Sequence, residues 1–129
     1  VKMLVHADTP VKGTRIGILG LTFKEDVPDL RNSRVPDIVA ELKQFGCVPL
    51  VTDAYADAAE AKHEYGIDVV PLEMLKDLDG LVVAVAHDAY RKMPVGDLLA
   101  RVKKGGTVVD VKSMIEPGRV PTSLAYWSV

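Results

Sequence analysis

The stretch Arg15-Ile-Gly-Ile-Leu-Gly-Leu21 decides the fold, because it is apolar after its first residue and opens a pattern that repeats along the chain. A run of this length, rich in β-branched and aliphatic residues, predicts a strand that is buried on both faces. Ser33–Phe45 follows with apolar residues at helical spacing, and Gly46 stands where a helix is expected to end. The apolar run Cys47–Thr52 then predicts a second strand.

The same alternation continues through the rest of the chain. Further strands are predicted over Ile67–Val70, Gly80–Ala86 and Thr107–Val111. The helices expected between strands two and five cover Ala56–Tyr65, Leu72–Leu78 and Pro94–Lys104. Alternating strands and helices predict an α/β fold, a doubly wound, Rossmann-like parallel sheet of about five strands with helices on both faces. The strand order is either 3-2-1-4-5 or the flavodoxin-like 2-1-3-4-5, and we favour 3-2-1-4-5.

Length and composition indicate one globular domain. The chain has 129 residues, of which 48% are hydrophobic and 26% charged, and this excludes a disordered or collagen-like protein. We expect residues 1–12 to be an incoming arm and residues 13–129 to form the domain. The segment Ser113–Val129 is expected to be an irregular tail anchored by Tyr126 and Trp127.

The net charge limits the kinds of partner this chain can bind, and the cysteine content limits its thiol chemistry. A net charge of −2 provides no broad basic surface for nucleic acid or an anionic membrane, and the apolar runs are too short to cross a bilayer. The N-terminus lacks a signal-peptide pattern, so a cytoplasmic protein is expected. Cys47 is the single cysteine, which rules out an internal disulfide, and we interpret it as a buried apolar residue rather than a reactive thiol.

The charged loop Thr22–Asn32 is the candidate ligand-binding feature. Ligands of doubly wound sheets bind beyond the carboxyl ends of the strands, and this loop follows the first strand. It is longer than the two to six residues usual for such connections and carries Phe23, Lys24 and Arg31. Together with Lys112, after the fifth strand, its cations and nearby helix N-termini predict a phosphate site. Surface pairing with the acidic residues of the same loop is the competing interpretation.

Two further residues follow strands and allow more than one role. His87 follows the fourth strand and is either a buried or cap-region histidine or a catalytic one. Asp53 follows the second strand, where it either caps the next helix or binds a ribose hydroxyl. The glycine pattern Gly17-Ile-Leu-Gly20 is not the dinucleotide fingerprint, which favours the capping role.

The sequence lacks the residues that several other kinds of functional site require. The sequence has no P-loop, no nucleophile elbow and no cluster of metal ligands. A bacterial receiver domain shares the topology and a lysine after strand five. It also requires acidic residues after strand one and an aspartate after strand three, where Thr22-Phe23 and Pro71 stand here.

The segment Gly17-Ile-Leu-Gly-Leu-Thr-Phe-Lys-Glu-Asp-Val-Pro-Asp-Leu-Arg-Asn-Ser33 resembles the signature loop of the UDP-glucose/GDP-mannose dehydrogenase family, in its C-terminal UDP-binding domain. The resemblance covers nearly the whole chain. It continues through Val35–Gly46, Asp79–His87, Gly105–Lys112 and Tyr126-Trp127. The loop looks most like the branch that acts on UDP-N-acetylhexosamines for surface polysaccharides, and less like the UDP-glucose branch.

The resemblance assigns roles to four residues. Phe23 and Lys24 match positions that contact the nucleotide sugar, and Arg31 matches an arginine that reaches NAD. Lys112 stands where many members have an arginine for the UDP moiety. Lysine keeps that charge but loses the bidentate fork.

The resemblance also implies an activity for the whole enzyme. Members oxidise the C6 hydroxymethyl of the sugar to a carboxylate with two NAD⁺, through a cysteine thiolate that lies upstream of this domain. An N-terminal Rossmann domain binds NAD, and a central helical region forms a homodimer. The isolated chain is then expected to be catalytically inactive, and Cys47 does not inherit the role of the catalytic cysteine. The alternative hypothesis is a stand-alone nucleotide-binding or regulatory module.

Overall fold

The computed structural model describes residues 13–22 and 33–128, so the expected arm over residues 1–12 lies outside the described part. Five strands form one sheet, and every neighbouring pair is parallel. The strands are β1 (Arg15–Leu19), β2 (Val48–Thr52), β3 (Leu78–Val83), β4 (Val102–Asp110) and β5 (Ala125–Ser128). Their spatial order is β2-β1-β3-β4-β5.

The predicted fold class is confirmed, and two details of the strand assignment differ. The predicted third strand lies beside β2 as expected but contributes only one bridge, between Val69 and Val51. The tail that was expected to be irregular contains β5, which pairs with β4 along its whole length. Numbered by the strands that form, the order is therefore 2-1-3-4-5. β1, β2, β3 and β4 correspond to the predicted first, second, fourth and fifth strands. They lie in the predicted order relative to one another.

The helices are shorter than the periodicity predicts in two places. They are α1 (Val35–Gln44), α2 (Ala58–Tyr65), α3 (Asp88–Arg91) and α4 (Val95–Leu99), with 3₁₀ turns at Leu72–Met74 and Pro117–Arg119. The predicted helix after the third strand is only a 3₁₀ turn, because Leu78 already begins β3. The predicted helix Pro94–Lys104 ends early because Val102 enters β4 and pairs with Leu78.

The core consists of two apolar layers, one on each face of the sheet. On one face α1 and α2 pack through residues such as Val39, Leu42 and Ala61. On the other face α3 and α4 contribute Tyr90, Leu98 and Leu99. Helices thus cover both faces of the sheet, as expected for strands that are apolar on both sides. Within the described residues, no helix has the length and hydropathy needed to cross a membrane.

The register of the sheet determines where a site can form. Leu19 pairs with both Thr52 and Val83, and Val83 pairs with Asp110. The last residues of four strands therefore form one row. Whatever follows these strands is brought together at a single edge, which we call the carboxyl edge.

Candidate functional site

Asp53, the first residue after β2, organises the carboxyl edge. Its Oδ2 accepts hydrogen bonds from the backbone N–H groups of Leu21, at 2.6 Å, and Thr22, at 3.1 Å. Its Oδ1 accepts from the N–H groups of Tyr55, at 2.8 Å, and Ala56, at 2.9 Å. One carboxylate thus joins the residues that follow β1 to the turn that follows β2.

His87 completes this arrangement from the β3 side. Its Nε2 lies 3.0 Å from Asp53 Oδ2 and 3.0 Å from Thr22 Oγ1. Because a carboxylate only accepts hydrogen bonds, Nε2 carries the hydrogen and donates it to Asp53. The side chains of both residues are completely buried. The ring of Tyr55 packs edge-on against the imidazole at a centroid distance of 4.7 Å.

The environment of Asp53 keeps its carboxyl ionised. Burial by itself raises the pKa of Asp53. The hydrogen bonds from the N–H groups of Leu21, Tyr55 and Thr22 and from His87 oppose burial and hold the pKa below its usual value. Asp53 is therefore a permanent acceptor at neutral pH. In contrast, burial first and then the charge of Asp53 raise the pKa of Tyr90, which stays a neutral phenol.

Ser33 joins the same structure from the start of α1. Its hydroxyl donates to the Leu21 carbonyl at 2.5 Å, and its oxygen accepts from the N–H of Val35 at 3.2 Å. Residues 22 and 33 flank the segment 23–32. Thr22 and Ser33, the described residues on either side of it, therefore both bond within the same cluster at the carboxyl edge. We call Leu21, Thr22, Ser33, Asp53 and His87 the loop-base network.

The geometry resolves the alternatives left open for Asp53 and His87. Thr22, His87 and Asp53 superficially suggest a nucleophilic triad, but the hydroxyl and the carboxylate meet the same ring nitrogen, so no proton relay runs across the ring. Both oxygens of Asp53 are engaged inside the protein, which excludes ribose binding in this arrangement. Asp53 bonds the N–H groups before α2, whereas Asp57 caps that helix through Glu60 N–H. His87 is buried, as the structural interpretation held.

Of the four residues expected to bind the ligand, only Lys112 lies in the part of the chain that the structure describes. Lys112 is exposed and lies two residues beyond Asp110, at the carboxyl edge. Phe23, Lys24 and Arg31 lie outside the described residues, so their contacts remain predictions. His87 follows β3 at the same edge, and its side chain points into the loop-base network.

The helix N-termini contribute less than the sequence suggested. In α1 the N–H of Val35 bonds to Ser33, and those of Asp37 and Ile38 bond to the carbonyl of Arg34. The helix after β3, α3, has only four residues, which is too short for a substantial dipole. Among the described residues, the first turns of α1 and α3 therefore offer little to an anion.

Gly20 determines how the chain leaves β1. Its φ is +103°, a conformation that favours glycine, and its N–H donates to the carbonyl of Thr52 at 2.8 Å. A Cβ at this position would lie 2.5 Å from Cβ of Val85. Only glycine fits between β1 and the segment that leaves β3.

An open cavity of about 510 Å³ lies beside Asp53 at the same edge. Its walls come from the end of β2, from the segment that includes Val70 and Leu72, and from Tyr90 and Met93 near α3. These walls are mainly apolar, which suits a ring or an aliphatic group better than a phosphate.

Two further observations concern reactive groups. The described residues contain no group of three or more histidine, cysteine, aspartate or glutamate side chains placed to hold a metal ion. Cys47 is buried, and its sulfur accepts a hydrogen bond from the hydroxyl of Thr14 at 3.3 Å. Its interpretation as a buried apolar residue is confirmed.

The sequence interpretation did not pair Asp53 with His87, and it did not link Ser33 back to Leu21. The signal was present in the order of the strands. Asp53 and His87 follow the two neighbours of β1, so an in-register parallel sheet places both beside Thr22. The hydroxyl of Ser33 bonds two groups at once, and its position before a helix predicts only the bond to Val35.

A doubly wound parallel sheet with an exposed lysine and a buried polar network at its carboxyl edge defines a Rossmann-like ligand-binding domain. The model of the UDP-glucose/GDP-mannose dehydrogenase family, UDP binding domain, matches residues 17–117. This chain belongs to that family as its UDP-binding domain.

Individual relatives agree with this assignment. Protein CapL of Staphylococcus aureus is 38% identical over 127 residues, which are 98% of this chain and 30% of CapL. UDP-N-acetyl-D-glucosamine 6-dehydrogenase of Pseudomonas aeruginosa is 36% identical over 116 residues, 90% of this chain and 28% of that protein. The chain thus spans less than a third of these relatives.

The solved structures show the same fold. NDP-N-acetyl-D-galactosaminuronic acid dehydrogenase from Methanosarcina mazei Go1 superposes with a TM-score of 0.84. The match covers 98% of this chain and 26% of that one, at 21% identity. At this identity the match supports the fold of the domain.

Proposed function

We propose that this chain is the nucleotide-binding part of a longer, NAD-dependent UDP-N-acetylhexosamine 6-dehydrogenase. The enzyme oxidises the C6 hydroxymethyl of the sugar to a carboxylate for surface polysaccharide synthesis. The observation that carries the proposal is the family match over residues 17–117. The two relatives at 36–38% identity, one of them named for UDP-N-acetyl-D-glucosamine, support the hexosamine branch.

In this proposal the chain binds substrate and leaves the chemistry to the rest of the protein. Its cysteine is buried against Thr14, and the histidine at the carboxyl edge is held by Asp53 and Thr22. The catalytic thiolate therefore belongs to another part of the enzyme. This domain supplies binding energy remote from C6, which orients the hydroxymethyl toward the reacting groups.

The diphosphate and the sugar are assigned to Phe23, Lys24 and Lys112. A nucleoside diphosphate carries several negative charges, and ammonium groups at the carboxyl edge neutralise them through charge-assisted hydrogen bonds. The exposure of Lys112 at that edge supports its part in this assignment.

Asp53 is not available to the ribose of a dinucleotide. Asp53 occupies the place of a ribose-binding carboxylate, but both of its oxygens accept internal hydrogen bonds. We therefore propose that NAD binds mainly to another domain of the enzyme and that Arg31 reaches it from this chain. The proposal includes a cytoplasmic enzyme that dimerises through a central helical region.

The substitution Lys24→Ala in the complete enzyme tests the site. Loss of a charge-assisted contact to the nucleotide sugar lowers kcat/KM by about 10- to 100-fold. Lys62→Ala is the matched control, because Lys62 is an exposed lysine on α2 that pairs with Asp68 instead. Equal kinetics of both variants would remove Lys24 from the site.

Titration of the 129-residue chain with UDP tests whether this domain works alone. The proposal predicts weak or undetectable heat by calorimetry, because the cleft needs a second domain. Tight binding of UDP by this chain would favour a stand-alone nucleotide-binding module instead.

A further inference from the structure

We propose that the cavity beside Asp53 is a binding site for an uncharged planar ring, which accepts a hydrogen bond from the hydroxyl of Tyr90. The cavity has a volume of about 510 Å³ and is open at the carboxyl edge. All the residues of its walls belong to the described part of the chain. The site does not depend on the substrate or the activity proposed above.

Tyr90 brings an unpaired hydroxyl to this cavity. The residue is 3% exposed, and its hydroxyl makes no hydrogen bond within the described part of the chain. Burial is the main cause that raises the pKa of Tyr90, whereas the side chain of Thr52 and the backbone of Ala54 lower it, as donors near the phenol oxygen do. Both of these neighbours line the cavity, and neither accepts the phenol hydrogen. A ligand with an acceptor would therefore pair a buried donor that is costly to leave unpaired.

The charge around the cavity selects an uncharged ligand. Asp53 lines the cavity as an ionised carboxylate, and both of its oxygens already accept hydrogen bonds from the chain itself. Among the described residues that line the cavity there is no lysine, arginine or histidine to balance a further negative charge. A phosphate or a carboxylate would therefore be repelled, and a cation would find both oxygens of Asp53 engaged.

The rest of the lining is mainly apolar, which suits the faces of a ring. Val70 and Leu72 come from the chain between α2 and β3, and Met93 from the chain that follows α3. Aliphatic and thioether groups pack against ring faces and bury apolar area there. An apolar ring with one acceptor at its edge therefore matches an apolar cavity with one free donor.

The position of the cavity leaves two sources for such a ring. The cavity lies on the β2 side of the carboxyl edge, whereas Lys112 follows β4. Two strands separate β2 from β4, so the distance across the sheet is about 14 Å. A ring in the cavity and a diphosphate at Lys112 are then either two parts of one nucleotide or parts of two different molecules.

Pyridine and benzene are matched probes, because they have the same shape and pyridine adds one acceptor at its ring nitrogen. Titration of the nitrogen-15-labelled chain at neutral pH, followed by the amide signals of Ala54, Leu72 and Ala89, gives both dissociation constants. We expect millimolar binding, with pyridine bound about three- to tenfold more tightly than benzene through one hydrogen bond. Tyr90→Phe should remove this preference and leave Tm unchanged, because the hydroxyl has no internal bond to lose.

Two control variants locate the binding. Tyr126→Phe also removes a phenol hydroxyl, but one that bonds to Asp110 in another part of the domain, so the preference for pyridine should persist. Ala89→Leu narrows the cavity from an exposed position on α3 and should weaken the binding of both probes. Equal binding of pyridine and benzene to the unaltered chain, or a preference that survives Tyr90→Phe, would show that Tyr90 does not bond the ring. Unchanged binding in Ala89→Leu would place the probes outside the cavity and overturn the site.

The complete enzyme distinguishes the two sources of the ring. If the ring belongs to the nucleotide sugar, Tyr90→Phe should raise KM for the UDP-sugar about three- to tenfold, and the UDP-sugar should displace pyridine. If it belongs to a separate small molecule, KM should stay unchanged, and pyridine should bind in the presence of the UDP-sugar. An enzyme that oxidises no UDP-sugar would overturn the proposed function, whereas the binding of pyridine by this chain would still stand.

Discussion

Asp53 and Asp110 are two aspartates at the carboxyl edge whose carboxylates both accept hydrogen bonds. The two carboxylates connect different parts of the chain. Asp53 follows β2 and accepts four backbone N–H groups and His87. Asp110 ends β4, where its Oδ2 accepts the N–H of Ile115 at 2.7 Å and the hydroxyl of Tyr126 at 2.8 Å. We call Asp110, Ile115 and Tyr126 the tail network.

The difference lies in what each aspartate joins. The loop-base network ties three strand ends to both flanks of the segment proposed to bind the nucleotide sugar. The tail network ties the end of β4 to the chain that returns as β5, one of the two edge strands. A buried carboxylate can therefore serve either a binding segment or a sheet edge, and its sequence position after a strand does not distinguish the two.

Replacing each aspartate by alanine measures this difference most directly. We expect Asp53→Ala to destabilise the chain by about 3–5 kcal/mol, because it leaves His87 and four N–H groups without their acceptor. Asp110→Ala removes two partners and should cost about 2–3 kcal/mol. Urea denaturation followed by circular dichroism gives both values. If Asp110→Ala costs as much as Asp53→Ala, the two networks are equivalent in stability and the comparison fails.

Two glycines with positive φ sharpen the comparison for the backbone. Gly20, beside the loop-base network, has φ +103° and no room for a Cβ, whereas Gly105 in β4 has φ +87° and no atom within 4 Å of that position. Gly20→Ala should therefore cost about 3 kcal/mol, from strain and overpacking together. Gly105→Ala carries only the backbone strain, about 1–2 kcal/mol. Equal losses in thermal or urea unfolding would contradict the close packing at Gly20.

The stabilisation that Tyr126 contributes through the tail network should be lost at high pH. Burial and then the hydrogen bond and charge of Asp110 raise the pKa of Tyr126 to about 12. An unfolded tyrosine titrates near 10. Because the folded pKa is the higher one, this stabilisation is complete below pH 10 and is lost as the pH rises through about 12.

Tyr126→Phe removes that effect and tests its sign. At pH 7 the variant should be less stable than the unaltered chain by about 1 kcal/mol, the contribution of one hydrogen bond. The gap should narrow between pH 10 and 12, as measured by urea unfolding at each pH. A gap that widens over this range would reverse the predicted direction for Tyr126.

Individual elements show where sequence reasoning succeeded and where it did not. The apolar run that contains β1 and the amphipathic α1 are visible as patterns, because their faces are buried by whole layers of the fold. The predicted strand at Ile67–Val70 has a similar composition but forms one bridge, since pairing depends on how far the neighbouring chain follows β2. The helix predicted over Pro94–Lys104 ends early for a related reason. Val102 belongs to β4, where it pairs with Leu78.

The sequence by itself determined the α/β class and, through the segment Gly17–Ser33, the family. Those properties follow from local runs of residue types, which a linear reading preserves. Only the tertiary structure decided that Asp53 and His87 form a buried pair, that Ser33 returns to Leu21 and that the tail supplies β5. The loop-base network joins residues up to 65 positions apart, between Thr22 and His87. They depend on strand register and burial, which no short stretch of sequence encodes.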